Sequence, residues 1–187
     1  GCHDVLIENI TGFTEDDTVA LTALGGFERK LGLVVEGQST DLHDVKIRNV
    51  ASDSYMCAVV RLLNDEGNKL YNIDVDGVTH VYSGKHTARP EFVVRIGDMN
   101  YAKKHSTLGD THHISVKNVY SHGAYAVGLF KGLVDAELDN IVVADGGLYG
   151  FGSHEGGNAV IKNVRFRNFI TLSDGAKAFH EGSFTQE

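Results

Sequence analysis

The run Thr14-Glu15-Asp16-Asp17-Thr18-Val19-Ala20-Leu21 sets three carboxylates side by side just before an apolar segment. Crowded like charges raise one another's pKa, which suits acid–base work. The same hard oxygens suit Ca²⁺. An acidic turn that simply stays solvated is the third reading of the run. Asp53 and His122 add titratable groups at matching places, each four residues past an asparagine, Asn49 or Asn118, that closes a recurring strand pattern. Arg61 and Arg95 each follow a Val-Val pair. They could clamp a sugar carboxylate bidentately, or pair with the nearby Asp65 and Asp98. Tyr55, like Tyr101, Tyr120 and Tyr125, offers a ring face for a sugar or for packing. His112 and His113 are adjacent and diverge on a strand, so they make a poor metal pair. No residue set reads as a metal centre, and Ca²⁺ at the acidic run is the one ion the chemistry suggests.

These side chains need a scaffold, and a repeat supplies it. The pattern apolar, any, apolar, polar, Asn, apolar occurs as Val5–Ile10, Val45–Val50, Ile114–Val119, Ala136–Ile141 and Val164–Phe169. It returns with Gly77 in the Asn place at Ile73–Val78. Period-two alternation predicts strands with one buried face, and recurrence predicts a solenoid. Ile7, Ile47, Val75, Val116, Leu138 and Phe166 are expected to stack as one inward column. The asparagines are expected to stack too, hydrogen-bonding along the axis at the roughly 4.8 Å spacing of strands. A second, shorter apolar segment follows each of these strands, as in Val19-Ala20-Leu21 and Phe92-Val93-Val94. No sustained 3.6 period competes. The fold expected is therefore all-β, a right-handed parallel β-helix of about six coils. Residues 1–187 form one such domain, read as a piece of a longer chain. Loops at 25–43, 79–90 and 99–112 interrupt the rise.

Composition agrees. The 187 residues carry a formal net charge of −8. An acidic balance argues against nucleic acid and anionic membrane as partners. Two cysteines, Cys2 and Cys57, do not make a disulfide framework. No apolar run is long enough to span a bilayer as a helix.

The Asp-Asp pair before an Ala-Leu strand resembles the polygalacturonase family, glycoside hydrolase family 28, within the pectin-lyase-like β-helix superfamily. Asp16 and Asp17 match the family's Gly-Asp-Asp motif, with Glu15 in the Gly place. Ser121-His122-Gly123 is similar to its Gly-His-Gly motif. Arg95-Ile96 echoes Arg-Ile-Lys, with Gly97 where Lys would stand, and here Arg95 precedes His122. The resemblance implies a divergent glycosidase with Asp16, Asp17, Asp53 and His122 as catalytic residues and Arg61, Arg95 and Tyr55 as substrate-binding ones. It implies a polysaccharide or oligosaccharide partner, no obligatory cofactor, and an extracellular or periplasmic setting. Further coils or another subunit would cover the ends. A non-catalytic glycan-binding or fibre β-helix is the alternative, and a Ca²⁺-dependent polysaccharide lyase the second. Inversion needs carboxylates roughly 6.5–9.5 Å apart. Adjacent strand residues point oppositely, so Asp16 and Asp17 share a cleft only if the turn bends. Asp17 with Asp53, from neighbouring coils, would sit nearer the retaining distance. If these residues are catalytic, Asp17→Asn is expected to abolish hydrolysis and leave glycan binding and stability nearly intact; if the run is only a structural turn, the change is expected to be neutral or to alter stability alone.

Overall fold

The structure, a computed structural model, describes the chain except residues 56, 86–88, 98–100, 102 and 155–156; the side chains of 27–29 are also left undescribed. It is all-β apart from one short helix, α1 (Gly25–Lys30). Seven strands form one parallel sheet in the order β1 (Cys2–Thr14), β3 (Leu42–Ser54), β5 (Leu70–His80), β7 (Thr111–Ser121), β9 (Gly132–Val143), β11 (Ala159–Thr171), β13 (Phe184–Gln186). Six shorter strands form a second parallel sheet: β2 (Val19–Ala23), β4 (Val60–Asn64), β6 (Phe92–Ile96), β8 (Tyr125–Leu129), β10 (Tyr149–Gly152), β12 (Lys177–Phe179). The chain visits the two sheets alternately and returns each time beside its previous pass. That path is consistent with a parallel β-solenoid. Among the described residues no helix is long and apolar enough to cross a membrane.

The expected column forms. Ile7 pairs with Ile47, then Val75, Val116, Leu138 and Phe166 follow in register. The four central members are fully buried, and Ile7 and Phe166 pack against them from the ends. Val19, Val60, Val94, Val127, Phe151 and Phe179 oppose them from the second sheet. One core thus runs the length of the solenoid, as stacking of half-buried units requires.

The asparagines do more than cap strands. Asn9, Asn49, Asn118, Asn140 and Asn168 have φ of 59, 52, 57, 53 and 47°, and Gly77 has 82°. All lie in the left-handed region, which Asn and Gly enter most cheaply. The reason is phase. Val5 and Ile7 point inward, so strict alternation would send residue 9 inward too. The left-handed residue interrupts the alternation, and Ile10 enters the core instead. A second column does the same five residues upstream: Asp4, Asp44, Asn72, His113, Asp135 and Asn163, with φ between 52 and 55°. The Asn ladder is discontinuous. Asn49 Nδ2 donates to Asn9 Oδ1 at 3.3 Å and Asn140 Nδ2 to Asn118 Oδ1 at 2.6 Å. Asn118 and Asn168 turn instead to Asp76 and Asp139. On the outer face, Glu8, Arg48, Asp76, Lys117, Asp139 and Arg167 form a column that alternates in sign at every rung.

Two predictions follow from the packing. Ile47→Asp buries a charge with no partner and should lower unfolding free energy by more than about 4 kcal/mol in urea titrations. Asn140→Val should cost about 1–2 kcal/mol more than Asn140→Gly, because only the former is strained at φ 53°.

Candidate functional site

The sequence-predicted residues gather where the first sheet hands the chain to the second. Asp16 and Asp17 lie between β1 and β2, Asp53 near the end of β3, and His122 just past β7. They do not converge on one point. The corner divides into two groups with different chemistry.

The first group is built on Asp17. Its side chain is 5% exposed and lies 2.8 Å from Arg61 Nε. The Ala58 N–H donates to its other oxygen at 3.0 Å. The Arg61 contact is close, but its angle falls outside hydrogen-bond geometry, so Coulomb attraction holds the pair. Arg61 stands on β4 directly beside Arg95 on β6. Its guanidinium covers the Tyr101 ring at 5.3 Å, while Arg95 covers Phe130 at 4.8 Å. The pairing of Arg61 with Asp65 suggested by sequence proximity is thus replaced by Asp17. Asp65 accepts the Gly26 N–H instead, and Asp98 lies outside the described residues.

Adjacent carboxyls here have opposite environments. Burial pushes the Asp17 carboxyl up, further than Arg61 pulls it down. Asp16 is exposed; the hydrogen bond from the Cys57 thiol, then the Asp17 N–H, holds it below the usual carboxylate range. Burial, reinforced by Asp16, raises the Cys57 thiol to about 12. Asp16, Asp17 and Cys57 present possible ligand atoms within 4.8 Å of one another. This set suits Ca²⁺ poorly. It offers one thiol and a carboxylate already facing a guanidinium, where Ca²⁺ takes about six to eight oxygens.

The second group is built on Asp53, which is buried. Ser83 donates to its Oδ2 through the backbone N–H at 3.1 Å and through the hydroxyl. Burial opposes its charge, but the Ser83 bonds and His80 outweigh that, and the carboxyl lies below its usual range. His80 Nε2 stands 3.5 Å from Asp53 Oδ1, and its ring meets His122 edge-on at 5.9 Å. His122 Nδ1 contacts the Asp145 carbonyl at 3.1 Å. A carbonyl only accepts, so Nδ1 carries the proton and Nε2 keeps its lone pair in the neutral ring. Tyr120 flanks His122 at 5.4 Å.

His80 was missed by sequence reasoning because it ends a weak copy of the repeat, two residues past Val78. Tyr55 is half-buried and its N–H donates to Thr14. The 109–113 segment is structural: Asp110 caps Thr107, Thr111 bonds Asn64 within the core, and His112 stacks on Tyr71. His154 packs with Phe92 and Phe130, and His180 with Tyr149, so each has its own aromatic setting.

No family model matches the sequence, and neither a curated protein nor a solved structure matches it.

The Arg61–Asp17 pair bears on the expected stability of Asp17→Asn. Replacing either partner strands the other's charge in a buried site, so Asp17→Asn is not neutral for stability. Arg61→Met should cost about 3–5 kcal/mol. Thermal melts should show that the double variant Asp17→Asn with Arg61→Met recovers part of the loss.

Proposed function

We propose that the chain is a right-handed parallel β-helix that binds and cleaves a polysaccharide, as a divergent relative of the polygalacturonase-like glycosidases. The hand follows from the strong preference of parallel crossovers. The observation that carries the reaction is the opposite setting of Asp16 and Asp17. Burial raises the Asp17 carboxyl while hydrogen bonds lower the exposed Asp16, a split in the direction that a general acid beside an ionised partner needs in glycoside cleavage. In this reading Asp17 protonates the departing glycosidic oxygen while Asp16 attacks the anomeric carbon, and water later releases the glycosyl group from Asp16 with Asp17 taking up its proton. Their separation, within 4.8 Å, lies on the retaining side of the geometric divide. Arg61 and Arg95 supply positive charge beside the pair. Tyr55 is tied by its N–H to Thr14 just ahead of the pair, and Asp53 and His122, with its open Nε2, stand in the second group along the corner. His122 then serves the glycan's hydroxyls rather than the scissile bond.

A second reading has its own support. Asp17 is nearly inaccessible and held by Arg61 and the Ala58 N–H. A carboxylate so placed can be purely structural, which favours a glycan-binding solenoid without turnover.

The discriminating variant is Asp16→Asn, because Asp16 is exposed and its loss leaves the Arg61–Asp17 pair in place. The wild-type chain is incubated with polygalacturonate, alginate, xylan and chitin, and new reducing ends are measured. Turnover on one of these should fall about a hundredfold or more in Asp16→Asn. Proton NMR of the first product should show the anomeric configuration of the substrate. Equal turnover in both proteins removes Asp16 from the mechanism. Glycan retention without turnover establishes the second reading.

A further inference from the structure

Among the described residues, His80 is the polar group the fold explains least. Its side chain has no solvent exposure, and among the described residues neither ring nitrogen has a partner within hydrogen-bond geometry, Asp53 Oδ1 standing at 3.5 Å. Buried polar groups are nearly always satisfied, so an orphan calls for a physical account.

The groups facing His80 come from three passes of the chain. Asp53 reaches it from β3, His122 from just past β7, and Arg89 from the connection between β5 and β6. Burial disfavours the charged form of the ring, and His122 and Arg89 reinforce this against the attraction of Asp53. Asp53 has a second commitment: its Oδ2 holds the 81–85 segment through both donors of Ser83. Val81 continues the attachment through its N–H to the Ser52 carbonyl at 2.9 Å. Alongside, His122 Nδ1 and Arg89 both donate to the Asp145 carbonyl. One carboxylate therefore serves a serine on one side and faces an idle imidazole on the other, with a guanidinium and a second imidazole close by.

We propose that segment 81–85 is a clasp over this corner that acid releases, with His80 as its sensor and Asp53 as its catch. With His80 neutral, Asp53 belongs to Ser83 and the clasp is shut. A proton from solvent on His80 converts the 3.5 Å approach to Asp53 Oδ1 into an ion pair. The imidazolium then competes with Ser83 for the carboxylate. It also places a new positive charge near Arg89 and the His122 ring, both of which oppose it. Buried like charges repel strongly, and moving Ser83 and its neighbours outward relieves them. The direction follows from linkage: an open state that solvates His80 binds the proton more readily than the closed one, so falling pH favours opening. This inference is independent of whether the corner cleaves a glycan.

Hydrogen exchange of the intact chain tests it, with no activity assay involved. Protection of the peptide spanning 81–85, corrected for intrinsic exchange, is compared between about pH 7.5 and about pH 5. Wild-type protection should fall by about tenfold per pH unit below the release point, while β5 and β7 keep theirs. His80→Gln should abolish that fall. His122→Gln, at a half-exposed position where the fold is safer, should reduce it. Far-ultraviolet spectra confirm that each variant is folded. A wild-type segment whose protection ignores pH overturns the proposal, as does a fall of the same size in His80→Gln. Should His80→Gln fail to fold, an unchanged fall in His122→Gln overturns it as well.

Discussion

Every circuit of this chain must arrive back beside the previous one with its side chains in phase. Parallel pairing at the roughly 4.8 Å strand spacing sets the rise. The left-handed residues set the phase. Two of them in each long strand, five positions apart, let three inward residues share one bent segment. Val5, Ile7 and Ile10 enter the core together because Asn9 breaks the alternation between Ile7 and Ile10, and in the next pass Asp44 does the same between Leu42 and Val45. Without those two columns the inward stacks would lose one of their three members to solvent in each pass.

The same constraint builds the corner. Residues far apart in sequence become neighbours because each lies at or near the same point of a different circuit: His80 pairs with Ser52, beside Asp53, and Arg61 with Ala20, three residues past Asp17. Asp53, His80 and His122 meet in this way, and so do Asp17 and Arg61. A corner assembled from successive circuits is dry on its inner side and wet on its outer side. That gradient separates Asp16 from Asp17, two identical carboxyls one residue apart. It also sets His80, whose charged form burial disfavours, within reach of Asp53, whose charged form Ser83 supports.

What the sequence disclosed follows the strength of its periodicity. The inward column was legible because Ile, Val and Leu recur at fixed offsets, and the first Asn column because five of six residues are identical. The second left-handed column was not legible. Its members are Asp, Asn and His, three types joined only by their tolerance of positive φ. The ladder was only partly right, because Asn118 follows a circuit with Gly77 in place of the amide and donates to Asp76, and Asn168 donates to Asp139. At the site, the acidic run was visible but its partner was not. Arg61 lies about as close in sequence to Asp65 as strands allow, and only the stacking of β4 on β2 shows that Asp17 is the nearer charge. His80 carried no signal at all, since a histidine two places past a strand's last valine looks like any loop residue.

The column Glu8, Arg48, Asp76, Lys117, Asp139, Arg167 imposes a parity rule on how such a chain can grow or shrink. Excising the single circuit that carries Asp76 would set Arg48 against Lys117, like against like. Excising the two that carry Asp76 and Lys117 would set Arg48 against Asp139 and keep the alternation whole. Duplication obeys the same arithmetic. An internal circuit copied once repeats its sign, and a copied pair does not. The natural unit of exchange in this solenoid is therefore two circuits rather than one, although the backbone repeats with every one.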